Sequence, residues 1–290
     1  MTIFEKISVL DRRWIFLFIA IAVLGPMMLN LKCSQIPSPI VNGIFDKIES
    51  LPPGSKVLLS FDYGPSTVPE IQPMVDGVIR HCGERGIKIY MMALWATGQN
   101  LVTSTITNTV QVDLPHYEYG VDYVNFGYKA GNQGVINVIV TDFTKMFSSD
   151  VNATPVGEIP MMDGVRSLKN MDLIISFGGG FPGIKEWVQF AGDLGDIPIA
   201  GGCTAVSAPL LYPYYPQQMV GLMGGIKGAA EYEAALASAY PVLRGKRMRG
   251  IEMMGPQTVA HIVIMFFILV GNIAYFMTRG NETKRLNTDV

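Results

Sequence analysis

The stretch from Met171 to Pro209, MDLIISFGGGFPGIKEWVQFAGDLGDIPIAGGCTAVSAP, restricts the fold more than any other part of the chain. Leu173 to Phe177 is an unbroken apolar run, the pattern of a strand buried on both faces of a parallel sheet. Gly178, Gly179 and Gly180 then allow a sharp turn, with Pro182 suited to a first helical position. Ile184, Trp187, Val188 and Ala191 recur at helical spacing, and Ile197 to Ala200 reads as the next strand. The segment is a βαβ unit, so its glycine loops, Gly178–Gly183 and Gly201–Gly202, are the first places to look for a site.

The same rhythm extends towards the amino terminus. Lys56–Phe61, Ile87–Ala93 and Val121–Phe126 read as strands, with helices expected at about Pro69–Gly83, Gly98–Val112 and Val135–Met146. A helix over Pro37–Pro53 leads into the first strand, and Gly228–Ala239 is a strong helix former. Met161–Asn170 reads as a short amphipathic piece. The expected fold is α/β, a Rossmann-like or flavodoxin-like parallel sheet of about five strands. Residues 209–225, rich in tyrosine, methionine and proline, read either as a core-lining loop or as a subunit interface or membrane-facing lip.

Both ends of the chain are apolar. Trp14–Leu31 holds 18 residues without a charge, and Val259–Met277 holds 19. Spans at 14–31 and 257–278 would moor a domain over 32–256 between tails at 1–13 and 279–290. Charged residues are only 16% of the chain while hydrophobic ones are 49%, in keeping with lipid contact or a broad protein interface. Basic residues are equally numerous on the two sides of the expected spans. Orientation then rests on the Arg12-Arg13 pair of a short tail, which resists translocation. The expected arrangement has cytoplasmic tails, an extracytoplasmic domain and membrane lipids as partners.

A net charge of −2 excludes a basic nucleic-acid reader, so no nucleic-acid partner is expected. Cys33, Cys82 and Cys203 are too few and scattered for a disulfide framework. With His81, His116 and His261 they make no metal-ligand spacing, so neither a metal nor a cofactor is expected.

Three sets of residues are candidates for chemistry. Gly178–Gly183 matches G-x-G-x-x-G after a strand and before a helix, where helix amides can bind an anion. Pro182 removes one such amide, and the following strand ends in Gly-Gly-Cys where a dinucleotide site would place an acid. Asp62 closes the first strand and Glu70 lies eight residues on, both at the carboxyl end where open sheets bind ligands; loop solvation is the simplest account of each. Cys203, followed by Thr204, sits on a strand-to-helix turn of the kind that exposes a nucleophile. A buried thiol with a packing role is the competing account.

The order strand, Gly-Gly loop, helix, strand, cysteine turn over Asp172–Ala208 resembles the class I glutamine amidotransferase-like superfamily, including its intracellular-peptidase and chaperone-like branch. The resemblance implies a reactive cysteine at Cys203 and a glutamate after the first strand, at Glu70. It also implies a histidine after the cysteine, and the only later one is His261, inside a charge-free stretch. The expected function is therefore a membrane-anchored, homo-oligomeric scaffold or binding module. The alternatives are a cysteine-dependent hydrolase or amidotransferase relative, and a small-ligand sensor.

Overall fold

The structure, a computed structural model, describes residues 11–33 and 35–286, with side chains as far as Met277. Residues 1–10 and 287–290 of the two expected tails lie outside the described residues. The chain divides into two compact units, one spanning 34–251 and one made of the two flanks.

The larger unit is built on six parallel strands. These are β1 (Lys56–Asp62), β2 (Lys88–Ala93), β3 (Tyr123–Tyr128), β4 (Leu173–Gly178), β5 (Ile199–Cys203) and β6 (Gly221–Gly224), in the order β3-β2-β1-β4-β5-β6. The doubly wound class is as expected, with one strand more than predicted. The extra strand lies in the stretch read as a loop: β6 pairs with β5 from Ala200↔Gly221 to Cys203↔Gly224. Four residues, two of them glycine, carry no periodic apolar signal. The third strand sits two residues later than predicted.

Alternate strand residues feed two cores. Val57, Leu59 and Phe61 face one layer, and Leu58 faces the other. The first layer holds α2 (Pro39–Ser50), α3 (Val68–Glu84) and α4. It also holds α8 (Gly225–Ala239). Helix α4 runs Ala96–Thr105, then a π turn Ile106–Val110, then Gln111–Asp113. The second layer holds α5 (Gln133–Thr141), α6 and α7 (Ala208–Leu211), with α6 running Ile184–Trp187 through a π turn Val188–Gly192 to Asp193–Gly195. Helix α5 stops five residues before its predicted end, because Asp142 is extended. Met161–Asn170 forms short 3-10 turns in place of the predicted amphipathic piece. Trp187, Phe61, Phe177 and Tyr232 are fully buried. Each such side chain stabilises the fold by about 2 kcal/mol.

The flanking unit contains α1 (Arg12–Met28) and the outer part of α9 (Arg249–Leu286). The helix in the predicted span 14–31 is shorter than expected. Helix α1 has 17 residues and ends at Leu29, beside Asn30 at φ +51°. At ~1.5 Å per residue it is about 26 Å long, short of a hydrocarbon core of ~30 Å. Among the described residues one helix, over Arg249–Met277, is long and apolar enough to cross a membrane. Within this unit Phe18 lies against Phe267, with ring centroids 5.8 Å apart, and the Leu31 carbonyl lies against Gly255. Rising numbers in one segment meet falling numbers in the other, so the two run antiparallel.

Candidate functional site

In the order 3-2-1-4-5-6 the chain winds away in opposite directions from β1 and β4. The crevice outside their carboxyl ends is where doubly wound sheets hold ligands. Asp62, Gly178–Gly183 and the loop after β2 converge on that end.

Asp62 is the last residue of β1 and is fully buried, which corrects the loop-solvation account. Its carboxylate accepts from the Ser60 hydroxyl (2.8 Å), the Leu94 amide (2.8 Å), the Trp187 indole N–H (2.9 Å) and the Ser176 hydroxyl (3.2 Å). Its own carbonyl accepts from the Gly179 amide at 2.9 Å. These bonds join β1, the end of β2, β4 and α6. Burial outweighs them and raises the carboxyl from 3.8 to about 6. The in-register pair Ser60↔Ser176, polar residues at inward strand positions, is the sequence signal for this knot.

The crevice above the knot is filled by the protein itself. Trp95, half-buried after β2, donates its indole N–H to the Pro182 carbonyl at 2.8 Å. A Cβ on Gly180 would come within 3.3 Å of the same ring, so glycine here serves close approach of tryptophan to the loop. Gly179 lies against Thr67 and Tyr63, and Gly178 closes β4. The Gly183 amide, the first available at α6, donates to the buried Glu186 carboxylate at 2.8 Å. A carboxylate thus occupies the position that an anionic ligand would need. Gly201 and Gly202 lie within β5. A Cβ on Gly202 would meet Phe177 at 2.8 Å, so it is small for packing.

Cys203 ends β5 with 1% of its surface exposed, in the core with α6 and α7. Burial, with the Glu70 charge adding, pushes the thiol up to about 12. Glu70 is half-exposed in the first turn of α3, and its carboxylate accepts from the Ala205 amide at 2.9 Å. The structure brings the two predicted residues close, but like charge there opposes a thiolate. Thr204 donates its hydroxyl to Ser207 at 3.0 Å and starts the turn into α7. His81 lies elsewhere, between the Tyr232 hydroxyl (2.7 Å) and Glu49 (3.0 Å), and burial depresses it to about 4.

A second polar cluster was not singled out in the sequence. Helices α3 and α4 face each other through three pairs spaced one turn apart. Gln72 donates to the Thr105 hydroxyl (2.9 Å), Thr109 donates to Asp76 (2.8 Å), and Arg80 binds Asp113 (2.7 Å). Every pair is 33 residues apart in sequence. Lys246 reaches Asp113 from outside at 3.1 Å. The spacings Gln72-x3-Asp76-x3-Arg80 and Thr105-x3-Thr109-x3-Asp113 carry the signal, since residues four apart share a helix face. The ladder borders an open cleft of about 380 Å³, whose outer wall is the segment Gly245–Arg249. No family model matches the chain, and no curated protein matches it.

Proposed function

We propose that this chain is a membrane-anchored assembly module whose Rossmann-like domain binds other copies of itself and turns over no substrate. One observation carries the reading. The crevice is packed with Trp95, while Phe181, Val206, Leu210 and Tyr212 stand exposed, more than half of each accessible, on the segments that follow β4 and β5. An apolar rim around a filled crevice suits a subunit contact.

Anchoring through both ends is part of the same proposal. The antiparallel pairing of α1 with the outer part of α9 supports two segments in the bilayer together, with both tails on the same side; the Arg12-Arg13 pair favours the cytoplasmic side for those tails and the outside for the domain. Local thinning of the bilayer, with snorkelling of the flanking residues, would accommodate the shorter α1. The hydrolase alternative needs a thiolate at Cys203, and its burial works against one.

Cross-linking in native membranes tests the reading. In a Cys33→Ser background, Val206→Cys should give a covalent dimer with a short bis-maleimide. Val242→Cys, also exposed but away from the rim, should not. Equal cross-linking at both positions, or at neither, would remove the proposal.

A further inference from the structure

The polar ladder offers more than helix packing requires. Buried polar pairs are costly unless every group is satisfied, and here one carboxylate also borders an open cleft. Asp76 is 6% exposed, and its Oδ1 accepts from both Gln72 and Thr109. Its Oδ2 takes no bond from either and the residue lines the cleft, so this oxygen can accept a donor from the cleft side. The π turn Ile106–Val110 lies on the same wall and carries Asn108 and Thr109. Such turns are rare and concentrate at functional positions.

The charge of the lining favours an anion. Arg80 and Lys246 bind Asp113, and Arg247 and Arg249 add two further cationic side chains to the lining. Arg247 and Arg249 are exposed at the rim. A volume of about 380 Å³ fits a small molecule. A ligand matching both features carries an anionic group for the rim and hydroxyl donors for Asp76 Oδ2, with Ser104 and Asn108 beside it.

We propose that this cleft binds a phosphorylated polyol, the chemistry shared by the headgroups of anionic phospholipids and by soluble polyol phosphates. The proposal stands on residues remote from the apolar rim and does not depend on assembly.

Calorimetric titration of the full chain in neutral detergent tests it, with sn-glycerol 3-phosphate as the soluble probe and phosphatidylglycerol in mixed micelles as the lipid probe. Sulfate at matched ionic strength is the control for simple charge. Saturable binding of either probe, stronger than sulfate, is expected; the soluble probe alone identifies a metabolite site, and the lipid alone a headgroup site. Arg247→Gln with Arg249→Gln, both at exposed positions, should weaken binding at least about tenfold. Asp76→Asn should weaken the polyol phosphate and leave sulfate unchanged; if that variant does not fold, the arginine pair decides. Sulfate binding as well as the probes, no binding of either probe, or an unchanged arginine variant would overturn the assignment.

Discussion

Two buried polar clusters of the larger unit differ in closure. The knot at Asp62 is finished: four donors meet one carboxylate, and Trp95 and Trp187 pack around it. The ladder between α3 and α4 is unfinished, because Asp76 keeps an oxygen open to a cleft rimmed with cations. In a doubly wound sheet the switch point is the habitual site and the helix layer is structural. Here the side chains reverse those roles. Fold topology locates a candidate crevice, and the residues present decide whether it is still available.

Substitution should separate the two clusters by magnitude. Asp62→Ala strands four buried donors and should destabilise the larger unit by about 4 kcal/mol, read from denaturant unfolding followed by tryptophan fluorescence. A loss under 1 kcal/mol would mean that the knot holds nothing together.

A pH series sharpens the same point. The folded carboxyl titrates at about 6 and the ordinary one at 3.8. The folded state therefore binds the proton more tightly, and this contribution is fully present below 3.8 and is lost as pH rises through 6. Asp62→Asn has no such group, so its penalty relative to the parent should be largest in acid. It should shrink by up to about 3 kcal/mol towards neutral pH. His81, depressed to about 4, changes stability in the opposite direction but is common to both chains and cancels. A penalty independent of pH would show that Asp62 is not perturbed.

At the ladder, Asp113→Asn weakens the partner of both Arg80 and Lys246 and should cost about 2 kcal/mol. Thr109→Val removes one hydrogen bond to the Asp76 carboxylate and should cost about 1.5 kcal/mol. If the smaller change cost more, the ladder would be a rigid unit and not an adaptable wall. The least effect is expected at Cys203: maleimide should leave the folded chain's thiol unmodified at neutral pH, and react only on unfolding.

The α/β class was legible because Leu173–Phe177 and its counterparts are long apolar runs separated by amphipathic helices. Strand β6 was not, since Gly221–Gly224 owes its place to pairing with β5 and not to its own pattern. The end of α1 was hidden for a related reason: a charge-free run shows where a helix can extend, while the backbone at Asn30 ends it. Asp62 and Glu70 look alike in sequence. Only the sheet register, which sets Ser60 beside Ser176, reveals that one is interred and the other half-exposed. Trp95 gave no signal, because a lone aromatic after a strand is ordinary until the opposing glycine is known. The ladder was visible as two four-residue spacings, but joining them requires knowing that α3 and α4 lie side by side.

The central claim is that the crevice end of the sheet serves contact between copies. The most direct measurement is the molar mass of the detergent-extracted chain by light scattering, for the parent and for a Val206→Glu, Leu210→Glu variant. Assembly predicts several copies per particle for the parent and a lower mass for the variant, with both folded by circular dichroism. A single copy for the parent across the accessible concentration range would contradict the account.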